Sequence, residues 1–145
     1  MGVALCAIAI TSCGSDSSDS SDASKSNANV TSTTSVTAPT ATQLQQTLDL
    51  VSNPDAPVAK KAAAVAEGAK RTPNLEKLTA ALAGYRLTYA VSDIQVQGST
   101  ARAQVQVTSP HGAMPMPMLW DYSNGSWQLS DPSTCQLLAM GHAPC

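Results

Sequence analysis

The densest grouping of potential metal ligands is His111-Gly112-Ala113-Met114-Pro115-Met116-Pro117-Met118. On an extended strand alternate residues share a face, so three thioethers would line up near one imidazole. Soft sulfur with imidazole suits Cu(I). The same methionines would serve equally well as adaptable filler of an irregular core. Pro115 and Pro117 fit an edge strand with no inward N–H to donate. Two readings therefore stand: a Cu(I) module built on His111, Met114, Met116 and Met118, or packing, which is the commoner use of such residues.

Other chemistry is sparse. The chain has two histidines, His111 and His142, no nucleophile-elbow serine and no phosphate-cradling glycine loop. Its carboxylates outside the N-terminal region, Asp49, Asp55, Glu67, Glu76, Asp93, Asp121 and Asp131, are scattered rather than paired. No catalytic residue is assigned, and neither an enzyme nor a cofactor is expected. A net charge of −2 without a Lys/Arg cluster argues against a nucleic-acid surface. Tyr85, Tyr89, Trp120, Tyr122 and Trp127 could line an apolar pocket on a curved sheet, which keeps a carrier of a lipophilic ligand open, although core is their commoner use.

The cysteines speak to location. Residues 1–12 are small and apolar and lead into Ile10-Thr11-Ser12-Cys13-Gly14. This resembles the end of a bacterial lipoprotein signal peptide, where an aliphatic and two small residues precede a cysteine that is acylated and becomes the new N-terminus. A secretory signal normally opens with positive charge, which Met1-Gly2 does not supply, so a longer natural signal is expected upstream. Cys6 leaves with the signal and Cys13 carries the acyl chains, palmitate among them. More than one chain gives stable anchoring. Cys135 and Cys145 remain, and in an exported chain two leftover cysteines predict one disulfide.

Residues 14–41 hold nine Ser, five Thr and three Asp against one Lys, with no Leu, Ile, Met or aromatic side chain. Such a segment cannot offset its ordering entropy by burying apolar surface, so a disordered tether is expected over 13–41. At 28 residues its reach is on the order of 30 Å. Residues 42–145 carry seven acidic and seven basic side chains and form the folded domain.

That domain opens with helical periodicity. Thr42 and Gln45 read as a capping box, with Leu44, Leu48 and Val51 on one face and Asn53-Pro54 as the stop. A second helix is expected from Pro57 through Glu67, ended by Gly68. A third starts at Thr72-Pro73, lines up Leu75, Leu78 and Leu82, and ends at Gly84. The period then becomes two. Leu87, Tyr89 and Val91 alternate with Thr88, Ala90 and Ser92, the pattern slips near Asp93 as at a bulge, and Ala101, Ala103, Val105 and Val107 share one face. A third strand covers about Met114–Tyr122, and Asn124-Gly125 turns the chain into a fourth, Ser126–Ser130. Asp131-Pro132 caps a last helix through Met140, closed by Gly141.

The expected fold is therefore α+β: three N-terminal helices packed on a four-stranded curved antiparallel meander, with a C-terminal helix. This is an arrangement of the nuclear-transport-factor-2-like or cystatin-like kind.

On these stretches the domain is similar to the mycobacterial low molecular weight secreted antigen family, in its C-terminal domain. The matching parts are Leu-x-x-x-Leu, Asn-Pro-Asp and Lys-x-x-x-Val-x-Glu-Gly within Thr42–Gly68, and Tyr-Ala-Val-Ser-Asp-Ile-Gln, Ala-Arg-Ala-Gln-Val and Asn-Gly-Ser-Trp-Gln-Leu-Ser within Leu87–Leu138. The resemblance implies an exported cell-envelope protein of actinobacteria, recognised by host immunity and without enzymatic activity, and it transfers no site residues. The lipobox, the Met-Pro run and the Cys135/Cys145 pair depart from it. They favour an extracytoplasmic form anchored in the outer leaflet of the cell membrane, with some shed or secreted. A monomer that meets an envelope component or protein partner is expected.

Overall fold

The structure, a computed structural model, describes residues 36–145. The signal segment 1–12, the Cys13 lipidation site and the tether up to residue 35 lie outside the described residues. Three helices come first, α1 (Ala41–Ser52), α2 (Val58–Ala63) and α3 (Gly68–Ala81). Four strands follow, β1 (Thr88–Gln97), β2 (Thr100–Ser109), β3 (Gly112–Ser123) and β4 (Ser126–Leu129), and then α4 (Asp131–Met140). The strands lie in the order β1-β2-β3-β4 as an open antiparallel meander. The α+β class and the order of elements are those expected. No described helix is long and apolar enough to cross a membrane.

The helix boundaries differ, each for a local reason. Thr40, rather than Thr42, caps α1: its hydroxyl accepts from the Gln43 N–H (3.2 Å) while Gln43 Oε1 accepts from the Thr40 N–H (2.9 Å). This register places Pro39 and Leu44, both buried, at the two positions of a hydrophobic staple. A cap at Thr42 would put Ala41 and the polar Gln46 there. Residues 37–41, assigned above to the tether, therefore belong to the packed domain.

The second helix stops at Ala63, short of Glu67, because the next residues leave to pair with β4. The Leu129 N–H donates to the Ala64 carbonyl (2.9 Å) and the Ala66 N–H donates to the Leu129 carbonyl (2.8 Å). Gly68 then starts α3 instead of ending α2. A Cβ there would lie 1.8 Å from the Ala62 carbonyl oxygen, so close approach of α2 to α3 demands glycine. Thr72-Pro73 is not a cap but lies inside α3. Pro73 has no N–H for the Ala69 carbonyl, and the Thr72 hydroxyl donates to that oxygen at 3.2 Å. Across the α2–α3 contact the fully buried Lys61 ammonium donates to Thr79 Oγ1 at 2.6 Å.

In the sheet, the slip expected near Asp93 is a bulge between Ser92 and Gln95, with Asp93 at a φ of 52°. Ala101, Ala103, Val105 and Val107 of β2 all face the core. Opposite them on β3 stand Trp120, Met118, Met116 and Met114 respectively. The two smallest side chains thus face the largest and a long thioether, which lets helices lie flat on this face. Because β4 pairs only with Trp120–Ser123, the rest of β3 is an open edge. The Leu119 N–H points off that edge to Ser133 Oγ (2.8 Å), and Pro115 and Pro117 share its parity, so their missing N–H groups fall on the open side.

Ser130, not Asp131, caps α4, accepting from the Ser133 N–H at 3.4 Å. Asp131 is instead held by Arg71, whose Nη2 lies 2.8 and 3.1 Å from its two oxygens and whose Nε lies 3.0 Å from one. The Cys135–Cys145 disulfide is present, with Cα atoms 5.3 Å apart. Closing so short a loop stabilises the fold by about 3 kcal/mol on the chain-entropy account. Asn74 Nδ2 reinforces it by donating to the carbonyls of Ala143 (3.3 Å) and Pro144 (2.6 Å).

The core runs from Leu44, Leu48 and Val51 through Leu75 and Leu78 to Met118, Trp120, Leu137 and Leu138. Two buried donors, Tyr89 Oη and Trp120 Nε1, have no hydrogen-bond partner. The Ser52 hydroxyl donates to the Leu48 carbonyl (2.8 Å), and its interaction with the Tyr89 phenol offsets only part of the effect of burial. Burial, assisted by the Asp49 carboxylate, pushes the Tyr89 phenol up to about 12.

Gly68→Ala should destabilise the domain by about 2–3 kcal/mol, read as a lower urea midpoint, since backbone must move to admit the methyl. Tyr89 should ionise near pH 12 in an absorbance titration. The folded state holds the Tyr89 proton more tightly than the unfolded one, so its contribution is complete below pH 10 and falls away between pH 10 and about 12. Tyr89→Phe should flatten that alkaline loss of stability and, by removing an unpartnered hydroxyl, be at least as stable at pH 7.

Candidate functional site

The strand geometry divides the Met-Pro run. Met116 and Met118 lie under the helices at 6% and 0% exposure, whereas Met114, beyond their cover, is 52% exposed. His111 sits in the tight connection between β2 and β3 and is exposed. The alternation expected for the thioethers is real, but two of the three are core, and the four residues do not present one shared surface.

The aromatic residues are divided as well. Tyr89 and Trp120 are core. Tyr122 and Trp127 meet edge to face at 5.3 Å, and Trp127 Nε1 donates to the Thr37 carbonyl (3.1 Å), fastening the segment before α1 to the β3–β4 hairpin. Tyr85 instead packs against His111, with ring centroids 5.7 Å apart and planes tilted by 31°. No single pocket is lined by all five.

What the fold assembles is a set of adjoining clefts at one end. A cleft of about 580 Å³ between the end of α1 and the entry to β1 is walled by Asp49, Ser52, Asp55, Tyr85 and Arg86. Desolvation raises the Asp49 carboxyl above its ordinary value, partly offset by a hydrogen bond from Gln45. Tyr85, Leu82 and Leu87 also bound the next cleft, of about 360 Å³, whose other walls include His111, Leu137, Met140 and His142. A third, of about 230 Å³, shares Ser109, His111 and Met140 with the second and adds Val107 and Met114.

The second and third clefts are apolar chambers set with two imidazoles and two thioethers, and no carboxylate lines either. Among the described residues no three of His, Cys, Asp and Glu gather to hold a metal ion.

Several of these residues escape a linear reading. Met140 ends the last helix and His142 follows it, far in sequence from His111, and only the return of α4 across β3 brings them to the β2–β3 turn. Gly141 closes α4 as expected, at a negative φ: a Cβ there would meet Leu78 Cδ1 at 2.3 Å, and the left-handed position falls on the next residue, His142, at a φ of 55°. The Arg71–Asp131 pair, sixty residues apart in sequence, likewise has no sequence signal.

Comparison with known proteins adds a family. No curated protein matches the chain. The family model described as the C-terminal domain of the low molecular weight antigen MTB12 matches residues 37–145, from the residue whose carbonyl receives the Trp127 indole to the disulfide at the chain's end. With three quarters of its length so matched, and its packed region and matched region starting together, the chain belongs to the low molecular weight antigen MTB12 family.

Proposed function

We propose that this chain is a non-enzymatic, exported cell-envelope lipoprotein, anchored through acylated Cys13, whose α+β domain is a small binding module held off the membrane by a Ser/Thr/Asp-rich tether. Membership of an antigen family suggests a secreted protein and names no reaction. The observation that carries the finer reading is the order of segments: an apolar run, Ile10-Thr11-Ser12-Cys13-Gly14, then a stretch to residue 36 poor in apolar side chains, then the domain. The Cys135–Cys145 disulfide fits an oxidising, extracytoplasmic setting. The two clefts that His111 lines carry imidazole, thioether and apolar side chains without a carboxylate, which supports binding there.

The two other readings fare less well. Copper held by Met114, Met116 and Met118 together would need Met116 and Met118 to leave the core. A lipophilic carrier lined by all five aromatic residues would need Tyr89 and Trp120 to do the same.

Mass spectrometry of membrane-fraction protein should find Cys13 as an acylated N-terminus. A Cys13→Ala chain should lose the acyl mass and pass to the soluble fraction. An unmodified native chain that begins elsewhere and never partitions to membranes would refute the anchor.

A further inference from the structure

We infer that the cleft between α4 and the β2–β3 turn is a Cu(I) site formed by His111, Met140 and His142, with Met114 as fourth ligand. This deepens the binding-module reading and rests on it, but it is independent of the Cys13 anchor.

The first support is the donor set. His111 and Met140 line both adjoining clefts, His142 lines one and Met114 the other. Imidazole and thioether together select a soft monovalent ion, while the lack of any lining carboxylate or thiolate leaves little for Ca²⁺, Mg²⁺ or Zn²⁺. Cys135 and Cys145, the only cysteines among the described residues, are joined to each other, so soft sulfur here must come from methionine. Met114 and Met140 are 52% and 37% exposed, two of three large apolar side chains left so open among the described residues. Methionine, with three rotatable bonds, can close on an ion without moving backbone.

The second support is backbone conformation. The His142 N–H donates to the Ala139 carbonyl (3.1 Å) and the Ala143 N–H to the Leu138 carbonyl (3.0 Å). This is a Schellman ending to α4 in which His142 occupies the left-handed position that glycine usually fills. A histidine there is less stable than glycine, and strained positions of this kind cluster at ligand sites. The disulfide and the two Asn74 hydrogen bonds hold the strained turn in place beside Met140. Tyr85, packed on the imidazole of His111, is a positioning residue on the other wall.

The test uses the full chain under anaerobic ascorbate, titrated with Cu(I) against a chromophoric Cu(I) chelator. One equivalent should be drawn from the chelator. Met140→Leu and His142→Gly should each weaken binding at least tenfold, and Met114→Leu severalfold. Met116→Leu, in the core, should bind as the native chain does. His142→Gly should also melt a few degrees higher, so its loss of copper cannot be ascribed to unfolding. Ag(I) should shift the imidazole resonances of both His111 and His142. Failure to compete with the chelator, equal affinity in a Met140→Leu/His142→Gly double variant, or an equal loss in Met116→Leu would each overturn the site. An acylated chain that takes up no Cu(I) would defeat this inference and leave the anchor intact.

Discussion

The backbone of Leu129 joins the two halves of the domain. Its N–H and carbonyl bond to Ala64 and Ala66 in the α2–α3 connection, and its neighbour Ser130 donates to the Leu119 carbonyl in β3. A strand of four residues thereby serves the sheet on one side and the helical layer on the other. The end of α2 at Ala63 follows from these few hydrogen bonds. Thr134 Oγ1 also donates to the Leu129 carbonyl (3.3 Å), and Arg71 reaches from α3 to Asp131, so the junction is braced on both sides. The amide groups of Leu129, Ser130 and Ala66 are each paired, which makes such a crossing tolerable in a core.

Much of this fold is legible in the sequence, and the exceptions have physical causes. Periodicity identifies the core faces of α1, α3, β1 and β2 because burial of Leu44, Leu48, Leu75 and Val105 is a local consequence of helix and strand geometry. Boundaries are less legible. Two Thr-x-x-Gln spacings compete at the start of α1, and the choice rests on whether the flanking positions are apolar. Gly68 and Gly141 look like stop signals, yet both are required by a neighbour more than five residues away in the chain. A glycine chosen for close approach and one chosen for a left-handed turn are the same letter.

The candidate site shows the same division. The Met-Pro run draws attention because its spacing is regular, but regular spacing on a strand is also what makes a core. Its exposed end matters only with Met140 and His142, which arrive through the path of α4. The family match covers the domain and leaves residues 1–36 outside it. What the N-terminal region does is thus a property of its own chemistry.

The prolines of β3 have a further consequence. An antiparallel sheet with an unpaired strand offers a ready template for a neighbouring copy, and proteins held side by side at high local density meet such edges often. Pro115 and Pro117 remove two donors in succession from the exposed rim of β3, and the bulge at Ser92–Gln95 disrupts the opposite rim at β1. Edge-to-edge pairing of one copy onto the next is thereby disfavoured at both margins of the sheet.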